Sequence, residues 1–193
     1  MVTVLQMLLA ALGIMTLENV IFTTAFGTST LIEFSKKPKQ LIWLGVFITE
    51  FATLASIISY FCEGFMLQNE TMAKFMPVVY VISLGLVYIL TLVIIRLISN
   101  NAFQKFKKYI HISAFNCASL SALFMNSLNG GDILQRIVYA VAVGVGFMLA
   151  AYILNANYEK LNSEKVPLSF KGFPIYVLYI GIVAMIIYAI NNR

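Results

Sequence analysis

Thr16-Leu17-Glu18-Asn19 and Phe115-Asn116-Cys117-Ala118 are polar breaks inside two long apolar segments of this chain. Hydrocarbon offers no hydrogen-bond partner to a carboxylate, an amide or an open backbone group. Polar residues at membrane depth are therefore costly, and they usually mark a site. If the apolar segments span a membrane, the function of this protein is expected to lie inside it.

The composition predicts an integral membrane protein. Of the 193 residues, 61% are hydrophobic and 11% are charged, whereas a soluble domain of this length needs far more charge to cover its surface. A bilayer core is crossed by roughly 20 apolar residues. The sequence therefore predicts one all-α transmembrane domain over 1–193, with six transmembrane helices at about 2–31, 40–62, 75–99, 109–128, 134–156 and 173–190.

The chain has a net charge of +5, and the positions of its basic residues indicate how it is oriented in the membrane. Ten basic residues follow or end the odd-numbered spans: Lys36, Lys37, Lys39, Arg96, Lys105, Lys107, Lys108, Lys160, Lys165 and Lys171. The other three of the thirteen are Lys74, Arg136 and Arg193. The positive-inside rule then places both termini outside the cell. Because topology explains the basic charge, we expect a lipid bilayer and no nucleic acid as partner.

The first span is too long for a straight transmembrane helix. It runs for about 30 residues with Glu18 as its only charge, so a bend or break is predicted near Glu18 or Gly27. The fourth span is also an apolar segment interrupted by polar residues, around Asn116, which lies half the chain away from Asn19. The sequence thus predicts two inverted three-helix repeats, about 1–100 and 101–193, with broken first and fourth helices. Such breaks point to a site at the membrane midplane.

Several motifs resemble one family of membrane proteins. They are Glu18-Asn19-Val20-Ile21-Phe22 followed by Gly27, Ser35-Lys36-Lys37, Asn116-Cys117-Ala118, Val145-Gly146-Phe147 and Val166-Pro167-Leu168-Ser169-Phe170-Lys171-Gly172. This pattern is similar to the A-type subunit of the Rnf ion-translocating electron-transport complex, and to the related D- and E-type subunits of the sodium-pumping NADH:quinone reductase, Nqr. The resemblance implies a bacterial inner-membrane component of a redox-driven Na⁺ or H⁺ pump. Its partners would be a homologous E-type subunit of opposite topology and the other Rnf subunits.

The resemblance also implies a shared cofactor. In this family two subunits each donate two cysteines to one [2Fe–2S] cluster, which passes electrons across the membrane. Cys117 matches one ligand position, and Ser29, two residues after Gly27, occupies the other. Thiolate is the usual ligand of such clusters, and a serine oxygen is harder and far less acidic. Three thiolates and one serine are one way to hold the cluster; its absence or a different ligation are the alternatives.

Four residues are expected to support the site: Glu18, Asn19, Gly27 and Asn116. A carboxylate at mid-membrane binds a cation, carries a proton or caps the second half-helix, and the two asparagines would satisfy broken backbone. Glu50 in the second span is left open between a partner contact and a polar cavity. No residue is assigned a catalytic role. The competing function is a secondary ion or solute transporter on the same scaffold without redox chemistry, which Ser29 favours.

Overall fold

The computed structural model describes residues 4–66 and 70–191, and within these ranges the chain is helical, without strands. A short 3₁₀ helix covers Leu168–Phe170. The α-helices are α1 (Val4–Thr16), α2 (Val20–Thr24), α3 (Thr28–Phe34), α4 (Pro38–Met66), α5 (Glu70–Ala73), α6 (Met76–Ile98), α7 (Asn100–Ala114), α8 (Cys117–Asn129), α9 (Ile133–Ala156), α10 (Tyr158–Leu161) and α11 (Phe173–Asn191).

Within the described residues, four helices are long and apolar enough to cross a bilayer: α4, α6, α9 and α11. They coincide with the second, third, fifth and sixth predicted spans. The first and fourth predicted spans are divided into shorter helices; α7 and α8 have 15 and 13 residues. The all-helical prediction is confirmed. Because a single crossing needs roughly 20 residues, helix length alone does not establish six spans.

Both predicted breaks are present. The first segment is interrupted twice, between α1 and α2 and again between α2 and α3. The second interruption passes through Ala25 and Gly27, whose φ angles of 58° and 84° lie in the left-handed region. The fourth segment is interrupted once, at Phe115 and Asn116. Its first half begins earlier than the predicted span, because the hydroxyl of Ser99 accepts a hydrogen bond from the backbone N–H of Ala102 at 3.3 Å and so caps α7.

The centre of the fold is the crossing of α4 and α9, which make the most extensive helix pair. A methyl group placed on Gly144 would lie 1.9 Å from Oγ1 and 2.9 Å from Cα of Thr49, so no side chain fits there. Gly45 leaves similar room for Met148. Small residues allow this close backbone approach in membrane bundles. The other long helices, α6 and α11, keep large apolar side chains exposed, as a surface against lipid requires.

A buried ion pair joins α4 to α9. Nη2 of Arg136 lies 2.6 Å from Oε2 of Glu63, and both side chains are less than one-tenth exposed. The hydroxyl of Tyr80 donates to Oε1 of Glu63 at 3.2 Å, and the guanidinium lies 5.0 Å from the ring centroid of Tyr60. Arg136 lies in the first turn of α9. A buried charge is stable only when it is paired.

Candidate site at the broken helices

Asn19 closes the gap between α1 and α2. It is 1% exposed, and its Oδ1 accepts a hydrogen bond from the backbone N–H of Ile21 at 3.0 Å. Its Nδ2 donates to the carbonyls of Met15 at 2.9 Å and Gly146 at 2.8 Å. Asparagine suits this cap because its side-chain oxygen satisfies an N–H that the first turn leaves open. Asn19 thereby fastens the first break to α9.

Asn116 caps α8 in the same manner. Its Oδ1 accepts from the backbone N–H of Ala118 at 2.9 Å, and the residue is buried. Its Nδ2, unlike that of Asn19, has no hydrogen-bond partner; in the part of the chain that the structure describes, it is the one buried side-chain polar atom in this state. A buried unsatisfied donor costs about 1–3 kcal/mol. An acceptor supplied from outside the chain would therefore stabilise this break.

Gly27 brings the two breaks together. It is buried and adopts a φ of 84°. A methyl group at this position would lie 3.0 Å from both Cβ of Ala118 and Oδ1 of Asn116. The start of α3 therefore lies directly against the start of α8, and a larger residue at position 27 would be strained by both its backbone and its neighbours.

Ser29 and Cys117 lie on these two adjacent helix starts, and both are exposed. Cys117 borders a cavity of about 150 Å³ together with Tyr88 and Leu120. Neighbouring Phe115 is 74% exposed, so this surface is open to a partner or to lipid. Cys117 is the first residue of α8, so its thiol lies at the start of that helix.

The donor set at this surface is one thiol and one hydroxyl. Across residues 4–66 and 70–191, no group of three or more His, Cys, Asp or Glu side chains is assembled for a metal ion. The other described cysteine, Cys62, is half-buried near the end of α4. Cys117 offers an exposed thiol, the usual ligand of iron, and Ser29 offers an exposed hydroxyl at the adjacent helix start.

The two membrane carboxylates lie in different surroundings. Glu18 is exposed and lines a cavity of about 550 Å³ bordered by α1, α8 and α9. Glu50 is half-buried and accepts a hydrogen bond from Oγ1 of Thr91 at 3.1 Å. Glu50 also lines two open grooves, one beside α9 and one beside α6. Most of the other residues that line these grooves are apolar.

Sequence reasoning missed a polar pair near Cys117. The hydroxyl of Tyr88 lies 2.6 Å from Nδ1 of His111, and the Tyr88 ring is 5.3 Å from that of Phe115. Tyr88 lies in α6 and His111 lies in α7. A buried tyrosine hydroxyl inside an apolar span needs a hydrogen-bond partner. Tyr88 in its apolar span is therefore the sequence feature that indicates such a pair.

Together, the fold and the site define an α-helical membrane protein of several spans, in which two helix breaks meet inside the bundle. The family is shown by comparison with known proteins: a family model described as "Rnf-Nqr subunit, membrane protein" matches residues 6–191. The chain belongs to this family, as its motifs predicted.

Its relatives carry related names. A protein of Aliivibrio salmonicida, named as the A-type subunit of an ion-translocating oxidoreductase complex, is 24% identical over 180 residues, which cover 93% of each chain. A protein of Acetobacterium woodii, named as the A-type subunit of a Na(+)-translocating ferredoxin:NAD(+) oxidoreductase complex, is 25% identical over 168 residues, 87% of this chain and 88% of the relative. The similarity therefore extends over nearly the full length of these relatives.

Proposed function

We propose that this chain is a membrane component of a redox-driven, ion-translocating electron-transport complex. The observation that carries the proposal is the meeting of two helix breaks at Gly27 and Asn116, with Cys117 and Ser29 exposed beside them. Membership in the Rnf-Nqr family and the names of the A-type relatives support it. The ion would be Na⁺ or H⁺.

The proposed architecture has six spans in two inverted repeats, with both termini outside a bacterial plasma membrane. Counting α1–α3 as one broken span and α7–α8 as another adds two crossings to the four long helices. Asn19 and Asn116 cap the helix after the break in each half, as a repeat requires. The excess of basic residues in the connections after the odd-numbered spans supports the orientation.

The proposed cofactor is a [2Fe–2S] cluster, held here by Cys117 and Ser29 and completed by two ligands from a homologous partner of opposite topology. When bound, such a cluster supplies one-electron transfer. Cys117 would bind iron as a thiolate at the start of α8, and Ser29 as an oxygen ligand. The unpartnered Nδ2 of Asn116 would donate a hydrogen bond to an acceptor in the assembled site. Hydrogen bonds to the sulfurs are one of the protein's means of tuning the cluster.

The test is electron paramagnetic resonance of the purified complex after reduction with dithionite. We expect a [2Fe–2S] signal that is present in the wild type and in Cys62→Ala, and that is lost in Cys117→Ala. Ser29→Cys should shift the signal, because a thiolate replaces an oxygen ligand. A wild-type complex that is intact, with its other centres visible, but that shows no signal dependent on Cys117 would refute the cluster.

The second candidate is a secondary transporter on the same scaffold without redox chemistry. One observation favours it: Ser29 stands where the resemblance expects a thiolate ligand. In that case ion uptake into proteoliposomes would proceed without an electron donor and would be unchanged in Cys117→Ala. Uptake that requires an electron donor would exclude this candidate.

A further inference from the structure

A cavity with several polar lining residues lies beside Glu18, apart from the cavity that Cys117 borders. Its volume is about 550 Å³, enough for several water molecules at roughly 30 Å³ each. Six of its lining residues carry polar side chains: Gln6, Glu18, Asn126, Asn129, Gln135 and Tyr139. It is therefore a roomy cavity whose lining combines polar and apolar side chains.

Among the described residues, no neighbour balances the charge of Glu18. It is the one charged residue that lines the cavity, and it has no salt bridge among the described residues. The basic residue nearest to the lining along α9 is Arg136, which is paired with Glu63 at 2.6 Å. A carboxylate in a low-dielectric region is stable as an anion only when a cation or water compensates it.

Two helices also end beside this cavity. The helix α1 ends at Thr16, two residues before Glu18, and α8 ends at Asn129, itself a lining residue. Helix C-termini carry partial negative charge, and such ends of broken helices hold Na⁺ in transporters. The start of α9, which has the opposite sign, is preceded by Asp132 at its cap. The two C-terminal ends therefore contribute partial negative charge at the cavity, which favours a cation there.

The donors are oxygen atoms. The carboxylate of Glu18, the amide oxygens of Asn126 and Asn129 and the hydroxyl of Tyr139 are hard ligands. Both hydrogen bonds of Asn126, to Ser56 and to the carbonyl of Arg136, are made through Nδ2, so its oxygen is the atom that a cation would use. Hard oxygen ligands suit alkali and alkaline-earth cations rather than soft metals.

We infer that this cavity is a water-filled vestibule in which Glu18 binds Na⁺, with oxygen atoms of nearby lining side chains and of water completing its shell. The choice of Na⁺ over a divalent cation rests on the proposed ion-translocating function and on the single carboxylate. The vestibule extends from the connection between α8 and α9, at Gly130, to the break between α1 and α2. It thus joins one surface of the protein to the broken helix.

The test is equilibrium binding of radioactive Na⁺ to the purified complex. In Glu18→Gln we expect the affinity to fall about tenfold or more, which corresponds to about 1.4 kcal/mol, because the variant removes the unit charge beside the ion. The control is Glu33→Gln, which removes an exposed carboxylate from α3 and should leave Na⁺ affinity unchanged.

A second pair of variants tests the cavity without touching the carboxylate. Gly13 lines the vestibule, and a methyl group placed on it meets no atom within 4 Å. Gly13→Leu should fill the space and weaken Na⁺ binding. Gly181 in α11 is equally unobstructed and does not line the vestibule, so Gly181→Leu should bind Na⁺ as the wild type does.

The inference is overturned if Na⁺ affinity is the same in the wild type, Glu18→Gln and Gly13→Leu. Recording the paramagnetic signal of the same preparations separates this result from the proposed redox function. Unchanged Na⁺ affinity with a normal cluster signal would overturn the vestibule alone. Weakened Na⁺ binding without any cluster signal would support the vestibule and refute the cluster.

Discussion

Asn19 and Gly146 are joined by a hydrogen bond between residues 127 positions apart, in which Nδ2 of Asn19 donates to the Gly146 carbonyl at 2.8 Å. Gly146 leaves room for this amide, since a methyl group there would lie 3.0 Å from Nδ2. The break between α1 and α2 is thus held from the opposite half of the chain. The corresponding atom of Asn116 has no such partner.

This difference predicts unequal costs for removing the two asparagines from the isolated chain. Asn19→Ala removes three hydrogen bonds and leaves buried backbone groups open, at a cost of roughly 1–3 kcal/mol for a buried unpaired group. Asn116→Ala removes one cap and also removes an unsatisfied donor, so its cost should be about 1 kcal/mol or less. The free energy of unfolding of each variant in detergent measures the two costs. Equal losses would contradict the finding that Nδ2 of Asn19 is hydrogen-bonded and that Nδ2 of Asn116 is not.

Gly27→Ala should destabilise the fold and weaken the site. The left-handed φ of 84° costs an alanine roughly 1–2 kcal/mol, and the new methyl group would press on Ala118 and Asn116 at 3.0 Å. Gly181→Ala is the matched control, since its added methyl group meets nothing within 4 Å. The midpoint of thermal unfolding should fall for Gly27→Ala alone; equal midpoints would show that the two helix starts are not in contact.

The pair of Glu63 and Arg136 should be far more sensitive to single than to double substitution. Either Glu63→Leu or Arg136→Met leaves one buried charge without its partner at 2.6 Å, a loss of roughly 3–5 kcal/mol. The double variant buries no charge and should recover much of that loss. A double-mutant cycle on unfolding free energies measures the coupling. Additive losses would indicate that the two charges do not interact.

Cys117 should react with a maleimide in the isolated chain and be protected in the assembled complex. Its side chain is exposed beside Phe115, and the proposed partner would cover it. Cys117→Ala should consequently change the stability of the isolated chain by less than about 0.5 kcal/mol, as is usual for exposed positions. The Cys62→Ala variant shows whether the maleimide has reacted with Cys117 rather than with Cys62. Equal labelling in the isolated chain and in the complex would place the partner interface elsewhere.

Local chemistry explains why the helices and their breaks were predictable. An apolar run of roughly 20 residues specifies a span by its own composition, and asparagine or glycine ends a helix through its own side chain or its own backbone freedom. Glu18-Asn19 and Phe115-Asn116 therefore indicated the breaks before any contact was known. The second break of the first span lies at Gly27, where glycine's backbone freedom allows the left-handed φ. Ala25 also adopts a left-handed φ, but the sequence does not indicate this, because alanine rarely adopts that conformation.

By itself, the sequence determined the membrane-embedded helical class, the positions of the interruptions and the family, because each depends on residues adjacent in the chain. Tertiary structure alone decided that Gly27 lies against Ala118, that Arg136 pairs with Glu63, and that Glu18 lines a cavity with Tyr139. It also decided that Asn19 finds an acceptor and Asn116 does not. Such relationships depend on how helices far apart in sequence cross and pack, and the period of a single helix carries no information about its neighbour.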